Sequence, residues 1–221
     1  MESSSNTAPA IQPAVEHDEH VRTRLLNAAV RVFDRKGYSA ASVREIAQMA
    51  GVTKPALYYH FGSKEGLLLA ILEQAKREVD TALDRAVART GTARARVLAL
   101  CGDVYALFGQ NVPIARVAHA VFLGPPDGAP PFDVTVFEAR FRQALERIVC
   151  DGVASGELRD VPPGDVALAA MGILEGCNER QLHPAFEPVG VEGLHRLVNL
   201  LFDGVVGAPG TGPASQPAYG G

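Results

Sequence analysis

Residues 42–64 read SVREIAQMAGVTKPALYYHFGSK. Two short helical patterns are separated there by a three-residue break. Ser42 has the side chain of an N-cap, and Val43, Ile46, Ala47 and Ala50 share one face of the helix that follows. Gly51 ends that helix and permits a turn backbone that a side chain resists. Thr53 caps the next helix, and Pro55 is tolerated because it lies in the first turn. Ala47 is small where the second helix crosses close above it. Two helices joined in this way form a helix-turn-helix.

Ile46, Val52 and Leu57 supply the apolar core beneath the crossing. That leaves Lys54, Pro55, Tyr58, Tyr59 and His60 pointing away from it. Such a helix fits the major groove, with residues near its N-terminus reaching base edges. Tyrosine hydroxyls, an imidazole N–H and an ammonium all donate to phosphate oxygens. Taken singly, each residue has an ordinary structural use: half-buried packing for a tyrosine, a helix cap for His60, a helix start for Ser63 and Lys64. Their joint placement in one basic module is what points to DNA.

The charge balance supports this. From position 20 to 66 there are eight basic residues, Arg22, Arg24, Arg31, Arg35, Lys36, Arg44, Lys54 and Lys64, against Asp34, Glu45 and Glu65. The segment is +5 in a chain of net charge −4, so the remainder is −9. A basic module on an acidic body implies that only the module meets a polyanion.

Working outward, residues 1–19 are rich in Ser, Pro, Ala and acids and read as a disordered leader. Residues 208–221 form a Gly/Pro tail with nothing to pack. The helix-turn-helix domain spans 20–66 and a larger helical domain spans 67–207. The first helix, VRTRLLNAAVRVFDRKG, buries Val21, Leu25, Ala28, Val32 and Phe33 and stops at Gly37. A long helix starts after Ser63 and runs to about residue 90; further helices are expected at 92–109, 111–123, 133–155, 164–181 and 190–206. The fold class is all-α.

Other classes find little support. No run of apolar residues is long enough to span a membrane, and the N-terminus lacks the pattern of a signal peptide, so the cytoplasm is the expected compartment. No nucleophile elbow, metalloprotease, P-loop or dinucleotide fingerprint is present. The chain is read as a non-enzyme with no cofactor, no catalytic residue and no metal site. Cys101, Cys150 and Cys177 are far apart in sequence and set in apolar surroundings, so buried reduced thiols are expected, with a redox sensor as the alternative.

At this point residues 22–70 resemble the DNA-binding domain of the tetracycline-repressor (TetR) family. The resemblance rests on AAVRVFDRKGY, SVREIAQMAGVTKPALYYHF and SKEGLLLAI. It implies a homodimeric repressor that leaves its double-stranded DNA operator when a small molecule enters the C-terminal domain. It places Ser42 and Thr53 on phosphate, Lys54, Pro55 and Tyr59 near bases, Tyr58 and His60 on backbone, and Lys64 on phosphate. Which tyrosine touches a base stays open. Two departures stand out: Pro55 replaces a small residue, and Gly66 replaces the Glu that completes a capping box with Ser63, which would soften the hinge to the body.

The resemblance also implies dimerisation through the last two helices. Their apolar stripes are Val166, Ala169, Ala170, Ile173, Leu174 and Cys177, and Leu194, Leu197, Val198, Leu201, Phe202 and Val205. Ligand-pocket candidates are Tyr105, Phe108, Arg116, His119, Phe122, Phe137, Phe141, Met171, Glu175 and Asn178, all of which also fit core positions. The break GPPDGAPP would gate such a pocket or serve as a plain loop. The same fold also serves an activator, or a regulator controlled by a protein partner.

Overall fold

The structure, a computed structural model, describes residues 12–123, 128–130, 133 and 135–204, with the side chains of 12–17, 122 and 123 excepted. Among the described residues there are nine helices and no strand: α1 (Gln12–Ala40), α2 (Val43–Ala50), α3 (Lys54–Phe61), α4 (Lys64–Ala88), α5 (Ala93–Gln110), α6 (Val112–Leu123), α7 (Thr135–Ala154), α8 (Pro163–Leu182) and α9 (Gly190–Asp203). The all-helical reading holds.

Helix α1 begins at Gln12, inside the stretch assigned to a disordered leader. Pro13 suits such a start, since a proline in the first turn lacks only an N–H that would have no helical partner. At the other end Gly37 takes φ 79°, ψ 166°, and breaks the helix at the expected stop. Residues 1–11, Val205 and the tail at 208–221 lie outside the described residues, as does most of the GPPDGAPP break.

Two apolar cores organise the chain. The first gathers Leu25, Val32 and Phe33 of α1, Ile46 of α2, Leu57 of α3, and Leu67, Leu68, Ile71 and Leu72 of α4, with Val117 of α6 added. It therefore extends past residue 66 and takes in two turns of α4. The second is built from Val79 and Leu83 of α4, Val97 and Leu100 of α5, Leu145 and Ile148 of α7, Ala170 and Leu174 of α8, and Leu194 and Val198 of α9. Burying each such Leu or Ile contributes about 1.5–3 kcal/mol. Helix α4 contributes to both cores, and α6 lies directly against α1 while also contacting α4, α5 and α8.

Polar ties lock the second core where helices end. The Glu157 carboxylate accepts from the N–H groups of Ala93 at 2.6 Å and Arg94 at 3.1 Å, supplying the orphan donors of α5. Arg96, 8% exposed, is held by Asp151 at 2.8 Å and the Val87 carbonyl at 3.2 Å. Tyr105 is buried and its hydroxyl accepts from the Gly190 N–H at 3.1 Å, joining α5 to α9. Cys101 and Cys177 are buried as expected, but Cys150 is exposed, because it falls on the solvent side of α7 beside exposed Asp151.

Candidate nucleic-acid interface and effector pocket

The helix-turn-helix is set by its caps. The Ser42 hydroxyl accepts from the Glu45 N–H at 3.2 Å. Gly51 closes α2 in the left-handed region, φ 63°, and returns its N–H to the Ala47 and Gln48 carbonyls. A Cβ at Gly51 would lie 2.6 Å from Arg24 Nη2, so space as well as φ selects glycine. That guanidinium donates to the carbonyls of Ala50 and Gly51.

Helix α3 is anchored by one side chain, Leu57, fully buried. The surface above it is open: Thr53, Lys54 and Pro55 are exposed, Tyr58 is 50% exposed and Tyr59 78%. Thr53 makes no side-chain cap hydrogen bond, so its hydroxyl is available outward. A tyrosine that exposed has its ring and hydroxyl ready for a partner.

Two of the expected contacts face elsewhere. The His60 side chain is only 7% exposed, with Nε2 3.6 Å from Asp18 Oδ1, so it turns toward α1. The Lys64 ammonium lies on the carbonyls of Tyr38, Ser39 and Ala41 rather than facing outward. Ser63 caps α4 by accepting from the Gly66 N–H at 2.9 Å. A Cβ at Gly66 would sit 2.1 Å from the Phe61 carbonyl oxygen, so the glycine permits the tight α3–α4 turn.

Arg44, counted in the charge balance but not among the expected contacts, joins this surface. It is exposed in the first turn of α2, two residues after Ser42, and makes no ion pair or hydrogen bond among the described residues. A basic residue two positions after an N-cap was the available signal. By contrast Glu45 holds Arg35 at 2.5 Å and Lys36 at 2.9 Å. The hydrogen bond from Lys36 keeps its carboxyl below the usual range, and Arg35 adds to this.

In the body, a cavity of about 100 Å³ opens between α4, α5, α6 and α7, lined by Leu72, Val79, Phe108, Ile114, Ala118 and Phe137 among others. Leu72 and Ala118 belong to the first core and Val79 and Phe108 to the second, so the cavity sits on the seam between them. A wider cleft of about 390 Å³ runs between the end of α1, α6 and the end of α8.

These positions scatter the pocket candidates. Phe108 and Phe137 line the seam cavity, and Phe141 stacks behind Phe137 at 6.3 Å between ring centres. Arg116 and His119 line the wider cleft instead, Arg116 on Asp34 and His119 on Glu179 at 3.0 Å. Tyr105 and Asn178 are buried in the second core around Gln181, which donates to both. Met171 packs against that core and Glu175 is exposed. The Phe122 side chain lies outside the described residues. Spacing along a helix does not reveal which neighbour each face meets.

A short anchored helix presenting Lys54 and two tyrosines, packed with α1, α2 and α4, makes this a helix-turn-helix protein with further helices beyond it. Residues 25–71 match the sequence profile described as "Bacterial regulatory proteins, tetR family". This segment is a TetR-type DNA-binding domain, and the profile covers it alone. The chain is 39% identical over 151 residues to the HTH-type transcriptional regulator SrpR of Pseudomonas putida, covering 63% of this chain and 64% of that protein. It is 44% identical over 78 residues to the HTH-type transcriptional activator FasR of Mycolicibacterium smegmatis, covering 35% and 36%. Measured against these two relatives, the aligned part of the chain spans 64% and 36% of their length. The crystal structure of the TetR family regulator PfmR from Thermus thermophilus superposes with a TM-score of 0.68 at 25% identity, covering 83% of this chain and 99% of that one. No single helix among the described residues is long and apolar enough to cross a membrane.

Proposed function

We propose that this chain is a DNA-binding transcription regulator that reads its operator with α3 and is released from it by a small molecule. The observation that carries this reading is the surface of α3, where Lys54, Pro55, Tyr58 and Tyr59 stand exposed above buried Leu57. Lys54, Thr53, Ser42 and Arg44 supply phosphate contacts, and Pro55 and Tyr59 approach base edges.

The protein acts as a homodimer. Leu168 of α8 is 68% exposed, and Leu200 and Leu197 of α9 are 54% and 38% exposed. Pairing these faces across a two-fold axis covers them and sets two α3 helices on successive major grooves, about 34–36 Å apart. As a non-enzyme regulator it works in the cytoplasm, where its DNA is.

The effector enters the seam cavity. The lining is almost wholly hydrocarbon; of its two charged residues, Lys76 is already held by Asp80 at 2.8 Å, and Glu78 is exposed and accepts from Gln74 at 3.5 Å. Asn111 remains as an uncharged hydrogen-bonding group. The site suits an uncharged, mainly apolar molecule. Filling it separates α6 from α4, the helix that contributes to both cores, and so tilts α4 and re-spaces the recognition helices.

Repression is the primary reading. The 44% identity over 78 residues to the transcriptional activator FasR favours activation as the second, since the same docking serves both. Selection from a random duplex pool tests the DNA claim. Enrichment of an inverted repeat is expected, whereas a pool that remains unenriched after repeated rounds contradicts it.

A further inference from the structure

Lys64 opens α4, yet its ammonium reaches back across the first core. Nζ donates to the carbonyl oxygens of Tyr38 at 2.9 Å, Ala41 at 3.1 Å and Ser39 at 3.4 Å. It also lies 4.2 Å from the centre of the Tyr38 ring. A lysine has three N–H donors, and the main chain takes all of them.

The other end of α2 is held in the same manner. Arg24 donates to the carbonyls of Ala50 and Gly51. Between these two points Glu45 binds Arg35 and Lys36 of α1. Cations from outside α2 therefore fix its lead-in, its first turn and its end. The carbonyls of Tyr38, Ser39 and Ala41 lie in and just after the last turn of α1, beyond the Gly37 kink, where the Tyr38 carbonyl also accepts from the Ala41 N–H at 3.2 Å.

We propose that Lys64 is a positioning residue for DNA recognition: its ammonium ties the 38–41 segment to the start of α4, and so sets α2 and α3 on the body, instead of binding phosphate. To reach a phosphate it would have to leave three hydrogen bonds and an aromatic face. The proposal rests on the reading of α3 as the recognition helix. It assigns phosphate neutralisation to Arg44 and Lys54, whose charges are exposed and unpaired among the described residues.

The test compares the full-length chain with Lys64→Met, Lys64→Arg and Lys54→Met in two measurements. The first is amide hydrogen exchange without DNA. The second is fluorescence anisotropy across a salt series, on a duplex that the unaltered protein selects from a random pool. Lys64→Met is expected to speed exchange in α2 and α3 by about tenfold while leaving α5 unchanged. It should weaken DNA binding by about tenfold with the same salt slope, and Lys64→Arg should restore part of both. Lys54→Met should lower the slope by about 0.9 with exchange unaltered. A Lys64→Met slope reduced by about 0.9 with full protection makes Lys64 a phosphate ligand and overturns the proposal. Lost protection with unaltered affinity also overturns it, leaving a purely structural lysine. If no duplex is selected, the DNA reading fails, while exchange alone still decides whether Lys64 holds α2.

Discussion

Arg116 grips Asp34 with two nitrogens: Nε lies 2.8 Å from Oδ1, and Nη2 donates to Oδ2 at 3.1 Å. Asp34 belongs to the helix that carries the helix-turn-helix, and Arg116 to α6, whose neighbour Ala115 lines the seam cavity. A movement of α6 is thus felt directly by α1. Both side chains are partly exposed, so a double-mutant cycle with Asp34→Asn and Arg116→Met should give a coupling of about 0.2–1 kcal/mol in thermal unfolding. Strictly additive single variants would remove the pair from the account.

Tyr59 is the most exposed large side chain of α3, so its truncation should leave the fold intact. Tyr59→Ala is expected to weaken operator binding by about 1–3 kcal/mol, the scale of a base contact. Anisotropy on the selected duplex, with the melting temperature as control, measures this. Full affinity in the variant would move recognition to Tyr58 or Lys54.

Gly51 is confined twice, by its φ of 63° and by Arg24. Gly51→Ala should destabilise the first domain by about 1–2 kcal/mol from the left-handed backbone alone, and displacing the guanidinium adds to that. Chemical unfolding followed by circular dichroism reads the change. Wild-type stability would mean that the turn adapts without strain.

The thiols give a pH dependence with a definite sign. Burial, with a smaller contribution from neighbouring Cys177, pushes the Cys101 thiol up to about 12. The fold holds Cys101 protonated, so its contribution is complete below the ordinary thiol value of 9.0 and is lost as pH rises from there toward about 12. The urea midpoint should decline over that range, and less steeply in Cys101→Ala. Parallel declines in the two proteins would assign the effect to other groups. A thiol reagent at neutral pH should label exposed Cys150 first.

Leu200 and Leu168 form the apolar face assigned to the dimer. Leu200→Glu places a charge there and should shift the sedimenting species from dimer to monomer, with loss of tight DNA binding. An unaltered mass would place the subunit contact elsewhere.

Much of this architecture was legible in the residues. The periodicity of Leu25, Ala28, Val32 and Phe33 gave the inner face of α1, and all four are buried. The caps at Ser42, Gly51 and Ser63 follow from local chemistry, and the structure keeps them. What local reading misses is contact across distance. Lys64 meets Tyr38 over a separation of 26 residues, through a carbonyl that carries no residue-specific signal. His60 turns inward because Asp18 lies beside it on an earlier helix. Leu168 was absent from the expected stripe of α8 because it lies off the buried face, 68% exposed. The pocket residues scattered for the same reason, since four helices meet at the seam and spacing along one of them does not fix its neighbours.

The measurement closest to the central claim is fluorescence anisotropy of the full-length protein on its selected duplex and on a shuffled duplex of the same composition, across a salt series. The account predicts tight binding to the selected sequence that weakens steeply with salt, and much weaker binding to the shuffled one. Equal, weak binding to both would contradict the assignment of α3 as a sequence-reading helix.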